Sequence, residues 1–286
     1  MSQHHKSSNL MLIPNRKRHD YTSLDIQYEE EYGLAWYYMH ASPRPCFTST
    51  LLDEIHHWQT HLVNQQDHDI QYTVLASNVS GVFNLGGDLD LFAQLIRSKD
   101  REGLMRYAVS CVDAVFRTHT ALGSDITTIA LVQGDALGGG LEAAMSNEIV
   151  IAERSSKMGL PEILFNLFPG MGAYSFLSRK IGVKQAEEMI LGGRLYSAEE
   201  LHDMGVVDIL ADDGQGEMAV YDYIEKESKK RNGIRALRAA EKYCNPVTYK
   251  ELADITEVWV DAALRLQEKD LRMMGRLVNK QSVKVK

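Results

Sequence analysis

Gly134-Asp135-Ala136-Leu137-Gly138-Gly139-Gly140-Leu141-Glu142, with Met158-Gly159-Leu160-Pro161-Glu162 after it, is the part of this chain whose reading decides the fold. The first stretch follows Thr127 to Val132, a β-branched apolar run of strand length, and leads into the helix-like Leu141-Glu142-Ala143-Ala144-Met145. Consecutive glycines after a strand let the backbone approach a ligand closely. A helix starting there would turn its free N–H groups and positive dipole end toward a negative charge. Taken alone, the glycine run reads equally well as a tight strand-to-helix turn.

Its surroundings favour the ligand reading. A second glycine pair, Leu85-Gly86-Gly87-Asp88, also comes just after a strand, Tyr72 to Ala76, and the turn-rich Ser77-Asn78-Val79-Ser80-Gly81. An oxyanion hole commonly takes its two N–H donors from separate segments, and these two loops can supply one each. Asp88 itself reads as a helix N-cap. A glutamate after a proline in a loop is ordinarily a solvated charge. Glu162, however, stands twenty residues after Glu142 with one more strand, Glu148 to Ala152, between them. Two carboxylates converging on one substrate can divide the work, one removing a proton and the other donating one.

From about Tyr72 to Leu210, and more loosely beyond, this pattern resembles the crotonase (enoyl-CoA hydratase/isomerase) family. The resemblance implies an α/β crotonase (ClpP-like) fold, stacked β-sheets flanked by helices with a C-terminal helical region. It carries the family's oxyanion positions onto Gly87 and Gly139 and its catalytic acids onto Glu142 and Glu162. Members that add or remove water keep both acids, so hydration–dehydration chemistry is implied.

Two segments narrow the resemblance. Ordinary hydratases carry a Gly-Gly-Thr-Gln-Arg-like stretch where this chain has Ile163-Leu164-Phe165-Asn166-Leu167-Phe168-Pro169-Gly170-Met171-Gly172-Ala173-Tyr174-Ser175-Phe176-Leu177. Together with Glu31-Tyr32-Gly33-Leu34-Ala35-Trp36-Tyr37-Tyr38-Met39 and Pro43-Arg44-Pro45-Cys46-Phe47, it looks like the diffusible-signal-factor synthases of bacterial quorum sensing. That implies dehydration of a 3-hydroxyacyl chain on acyl carrier protein to a cis-2-enoyl thioester, whose hydrolysis releases a free unsaturated fatty acid. Glu162 is then expected to be the C2 base and Glu142 the acid that protonates the departing hydroxyl, an order the sequence leaves reversible. With no GxSxG present, one glutamate must activate the hydrolytic water. Leu137, Met171 and Trp259 are the expected acyl-binding residues.

Two other functions fit the same residues. A conventional enoyl-CoA hydratase of fatty-acid degradation keeps both acids but takes CoA thioesters. A crotonase-fold scaffold would instead act by binding a regulatory sensor protein. No cofactor is implied. Gly170-Met171-Gly172 follows no predicted strand, so it is no dinucleotide loop. Arg179, Lys180 and Lys184, or Lys229, Lys230 and Arg231, could meet an acidic carrier protein, although solvated helix faces are the plainer reading. The resemblance also implies a homotrimer or a dimer of trimers.

Composition agrees with a soluble globular enzyme: 286 residues, 44% of them hydrophobic and 24% charged. The net charge of −8 argues against nucleic acid, which calls for a basic field. Cys46, Cys111 and Cys244 form neither a disulfide framework nor a metal pair and suit a reducing cytoplasm. His56, His57 and His61 lack the other ligands of a metal motif and read as a solvated helix face. No apolar run is long enough for a membrane span, and the start lacks a secretory signal.

Three regions follow: a tail over residues 1–22 expected to be disordered, a crotonase α/β core over 23–212, and a helical oligomerisation region over 213–286. Within them, a hairpin is expected from Leu24 to Tyr28 and Leu34 to Met39, turning at Gly33. Apolar spacing predicts a helix from Thr48 to Gln65 buried through Leu51, Leu52, Ile55, Trp58 and Leu62, and another from Asp100 to His119. Val206 to Leu210 reads as a strand. Val247 to Leu277 reads as one long amphipathic helix with Leu252, Ile255, Trp259, Ala263 and Leu266 along a face.

Overall fold

The computed structural model describes residues 21–64 and 69–284. The tail expected over 1–22 therefore lies, up to residue 20, outside the described residues. Tyr21 and Thr22 are anchored on the first helix, through Tyr21 Oη to His57 Nδ1 (2.7 Å) and the Thr22 N–H to Glu54 Oε1 (2.7 Å).

Ten strands run in chain order among the described residues. The first five are β1 (Leu24–Glu29), β2 (Leu34–Met39), β3 (Tyr72–Ser77), β4 (Val82–Asn84) and β5 (Thr127–Val132). The others are β6 (Asp135–Leu137), β7 (Ile149–Glu153), β8 (Lys157–Gly159), β9 (Leu195–Ser197) and β10 (Ile209–Ala211). Helices α1 (Ser49–Asn64), α2 (Leu89–Arg97), α3 (Arg101–His119), α4 (Gly139–Met145), α5 (Ala173–Ile181) and α6 (Val183–Gly192) precede the last strand, with α7 (Ala198–Met204). After it come α8 (Gly216–Ser228), α9 (Arg231–Cys244), α10 (Tyr249–Ala263) and α11 (Glu268–Lys284).

The strands form two sheets. The larger has the order β1-β2-β3-β5-β7-β10, with only β1 antiparallel to its neighbour. The smaller has the order β4-β6-β8-β9, its first three strands parallel. One face of the large sheet packs on the main core with α1, α3 and α4, and α8 covers the other through Val220 and Ile224. The α1 face is the one its apolar spacing predicts, and Trp58 stacks on Tyr37 with centroids 4.3 Å apart. Asp100 caps α3 rather than beginning it, its side chain accepting from the Gly103 N–H. No described helix is long and apolar enough to cross a membrane.

Two expectations are corrected. The single helix read over Val247 to Leu277 is two helices, broken where the Gln267 N–H donates to Asp270 Oδ2 (2.9 Å) and so caps a new start. The strand read at Val206 to Leu210 begins only at Ile209. Val206 and Val207 are buried in the turn that closes α7 after Gly205, where both their N–H groups donate to the Leu201 carbonyl.

Glu227 of α8 is buried beneath the large sheet. It accepts hydrogen bonds from the Tyr72 hydroxyl and Thr127 Oγ1 and pairs with Arg231 at 3.4 Å. Removing one partner from a buried charged network leaves the others uncompensated. Glu227→Ala is therefore expected to destabilise the protein by about 3 kcal/mol, read as a lower urea midpoint.

Candidate active site

Three parallel strands of the small sheet build the site, because each ends in one functional element. Asn84 at the end of β4 leads into Leu85-Gly86-Gly87, and β6 leads into Gly138-Gly139 and α4 with Glu142. From β8 the chain passes through Leu160 into a 3-10 turn, Pro161–Phe165, that carries Glu162. The pairing of β6 with β8, Ala136 opposite Met158 and Leu137 opposite Gly159, brings the two glutamates together across twenty residues of sequence. A bond from the Gly138 N–H to the Gly159 carbonyl (2.8 Å) extends it. Ligands of parallel sheets sit at such carboxyl ends.

The two glycine loops touch. A Cβ on Gly86, whose φ is +93°, would lie 2.8 Å from the Leu137 carbonyl oxygen and 3.1 Å from the Gly139 nitrogen. Only glycine lets the loops approach this closely. Gly139 is the first residue of α4, so its N–H is among those that a helix leaves without an internal partner.

All seven residues singled out from the sequence line one cavity of about 250 Å³: Glu142, Glu162, Gly87, Gly139, Leu137, Met171 and Trp259. The sequence reading missed Gly138, Phe92, Tyr107 and Leu277, which line it too. Phe92 and Trp259 meet edge to face at 5.1 Å, so α2 and α10 share a wall, and α11 adds Leu277. Apolar helix positions such as Phe92 and Tyr107 carry no local mark that separates a cavity wall from a core.

The carboxyls differ in their surroundings. Glu142 Oε1 accepts from the backbone N–H groups of Met171 (2.7 Å) and Ala173 (2.9 Å), at the start of α5. Burial pushes the Glu142 carboxyl up to about 7, against the pull of these N–H groups, which favour its charged form. Burial, and after it the neighbouring Glu142 charge, push Glu162 up to about 8. Glu162 Oε2 has no hydrogen-bond partner among the described residues. Near neutral pH the pair holds about one proton, and the surroundings favour it on Glu162.

A pair that must hold one proton gives a bell-shaped rate profile. kcat/KM is expected to peak between about pH 7 and 8, falling at lower pH as both carboxyls are protonated and at higher pH as both ionise. A profile flat from about pH 5.5 to 9.5 would remove the shared proton from the account.

The two basic clusters are internally matched. Arg179 forms two bonds of 2.8 Å to Glu251, and Lys180, Lys184, Lys229 and Arg231 face Asp208, Glu188, Glu225 and Glu227. Each cationic side chain of the two clusters other than Lys230 thus has an acidic neighbour. His56 is bonded to Ser110.

Residues 41–280 match the family model described as enoyl-CoA hydratase/isomerase. The chain belongs to this family, the crotonases, and has their α/β fold. Among curated relatives, it is 31% identical over 179 residues to a probable mitochondrial enoyl-CoA hydratase 2 of Arabidopsis thaliana, covering 62% of this chain and 56% of that protein. It is 32% identical over 157 residues to the human mitochondrial methylglutaconyl-CoA hydratase, covering 55% of this chain and 44% of that protein. The chain thus spans about half the length of these relatives. Among solved structures, Pseudomonas aeruginosa DspI is similar with a TM-score of 0.67 and 25% identity, over 85% of this chain and 96% of that one. An enoyl-CoA hydratase from Bacillus halodurans, at 20% identity and a TM-score of 0.76, shares the fold over 89% of this chain and 100% of that one.

Proposed function

We propose that this protein is an acyl-thioester dehydratase with thioesterase activity, which converts a 3-hydroxyacyl-carrier-protein to a free cis-2-unsaturated fatty acid of the diffusible-signal-factor type. The observation that carries the reading is the convergence of two buried carboxyls and two glycine loops on one cavity walled by Leu137, Met171, Phe92 and Trp259. Resemblance of residues 31–39, 43–47 and 163–177 to the signal synthases supports the choice of substrate.

The thioester oxygen would lie between the N–H groups of Gly87 and Gly139. Charge developing there on loss of the C2 proton would be held by fixed dipoles. The ionised carboxylate takes that proton, and the protonated one gives its proton to the departing hydroxyl, which leaves as water. A second water, activated by a glutamate, then attacks the thioester carbonyl and releases the acid and the carrier thiol.

Similarity to curated hydratases supports a second reading, a conventional enoyl-CoA hydratase. With the proton on Glu162 and the charge on Glu142, the substrate-free pair matches the start of hydration, in which Glu142 activates water and Glu162 protonates C2. Dehydration with Glu162 as base requires the proton to cross to Glu142 when substrate binds.

Mass spectrometry of the purified protein with 3-hydroxydodecanoyl carrier protein, beside Glu142→Ala and Glu162→Ala, separates the two. Free cis-2-enoic acid from the wild type and from neither variant supports the signal synthase. Rapid hydration of a 2-enoyl-CoA with no release of acid replaces it by the hydratase. A trimer or dimer of trimers belongs to the same reading and is checked by light scattering. Binding of a sensor protein is checked by signalling output in the Glu142→Ala/Glu162→Ala double variant.

A further inference from the structure

We propose that Tyr107 of α3 is a positioning residue, whose hydroxyl fixes the direction of the Gly87 N–H in the oxyanion loop. The inference rests on the thioester reading for its chemistry and on the loop's own bonds for its geometry.

Gly87 lies outside the strands and helices and forms an isolated parallel bridge with Phe47, so its orientation depends on the bonds around it. The Leu85 N–H donates to the Pro45 carbonyl (2.8 Å), and the Gly86 N–H donates to Asn84 Oδ1 (2.8 Å). On the next peptide, the Gly86 carbonyl accepts from the Phe47 N–H (2.8 Å). That carbonyl and the Gly87 N–H share one planar trans peptide, which directs the N–H away from Phe47. On the far side of Gly87, the Asp88 N–H donates to Tyr107 Oη (3.1 Å). Tyr107 Oη in turn donates to the Phe47 carbonyl.

The hydroxyl thus ties the segment that holds the peptide before Gly87 to the peptide that follows it. The plane before Gly87 is held directly by the Phe47 N–H and the plane after it by the Tyr107 hydroxyl, which also anchors the Phe47 carbonyl. Tyr107 is buried, lines the cavity, and packs edge to face on Phe92 at 5.2 Å. The Phe92 ring fills the space that a Cβ on Gly87 would need. No bond in this arrangement places the Tyr107 hydroxyl on the reacting atoms: its proton goes to the Phe47 carbonyl, it accepts from the Asp88 N–H, and its further neighbour is the Cys111 thiol.

Tyr107→Phe keeps the ring and removes the hydroxyl. In the full chain labelled with [15N]glycine, the Gly87 amide resonance is expected to move, whether or not substrate is bound. With a saturated acyl thioester carrying 13C at the carbonyl, the infrared shift seen on binding to the wild type is expected to shrink in the variant. kcat is expected to fall about 10- to 100-fold with KM within about threefold, less than the loss of a whole oxyanion donor. An unmoved Gly87 amide, or a carbonyl shift equal to that of the wild type, overturns the proposal even if activity falls. If the wild type shifts no thioester carbonyl, the thioester reading fails and the amide resonance alone decides the role of Tyr107. Should Tyr107→Phe not fold, 3-fluorotyrosine at position 107 weakens the same oxygen as an acceptor while keeping it in place. A displaced Gly87 amide then supports the proposal, and an unchanged one overturns it.

Discussion

Glu162→Gln is expected to lower kcat by about 10³-fold and, at pH 8, to make the protein more stable than the wild type. On the proposed function, the loss of rate follows from removing one of the two groups that exchange protons with the substrate. The gain in stability follows from burial. The folded-state pKa of Glu162 is raised from the usual 4.5 to about 8, so its neutral form is the one the fold favours. A raised carboxyl contributes stability that is fully present below the unfolded value and is lost as pH rises through the folded one. Between about pH 4.5 and 8 the wild type must either keep a proton on Glu162 or bury a charge beside Glu142. Glutamine is neutral throughout. The difference in Tm is therefore expected to be small near pH 5 and to reach several degrees at pH 8, for a stability difference on the order of 1–3 kcal/mol. Melting curves of both proteins across this range check it. Equal Tm values at pH 8 would show that Glu162 rests ionised.

Gly138→Ala is expected to cost about 10²- to 10³-fold in kcat/KM, through Glu162 rather than through the loop's own N–H groups. Gly138 has φ of 52° and ψ of −123°, a conformation that side chains other than glycine's rarely adopt. A Cβ there would fall on Glu162 Oε1. The carboxyl would have to move, and a small misplacement of a reacting group is enough for a loss of this size. Gly182→Ala is the control. Its φ of +81° imposes comparable backbone strain, yet a Cβ would meet nothing within 4 Å. Gly182→Ala is expected to lower Tm while leaving kcat/KM within about twofold. Equal losses of activity in the two variants would sink the argument, because strain alone would then explain both.

Which parts of this were legible in the sequence follows from length and locality. Helix α1 runs for 16 residues with Leu51, Leu52, Ile55, Trp58 and Leu62 on one face, a pattern long enough to read. The large sheet was legible for the same reason, since β2, β3 and β5 are six-residue apolar runs. The small sheet was not. Each of β4, β6, β8 and β9 has three residues, too few for an alternation to register, and the pairing of β4 with β6 is irregular between Val82 and Asn84. Yet this sheet positions the site. Glu142 and Glu162 could be singled out by type and spacing, whereas the β6–β8 pairing that joins them is a tertiary fact. The break between α10 and α11 has no proline or glycine to announce it and rests on one side-chain cap, Asp270 on the Gln267 N–H.

The wall supplied by α10 and α11 bears on how the chain is made. Trp259 and Leu277 close the cavity from residues synthesised long after Gly87, Gly139, Glu142 and Glu162. The two helices are held by buried Leu252, Trp259, Val260, Ala263, Leu271 and Met274, with exposed contacts of Arg97 to Glu268 at 3.3 Å, Arg101 to Asp261 at 3.1 Å and Lys99 to the Leu264 carbonyl at 2.8 Å at the edge. Until the residues after Asn245 are made, the trough lined by Leu137, Phe92 and Met171 lacks the wall that Trp259 and Leu277 supply. At ordinary translation speeds that interval is a few seconds, ample time for a hydrophobic trough to recruit a chaperone or a neighbouring nascent chain. A chain cut short in this region keeps Glu142 and Glu162 but lacks Trp259 and Leu277, and is expected to be cleaved by protease faster than the full chain.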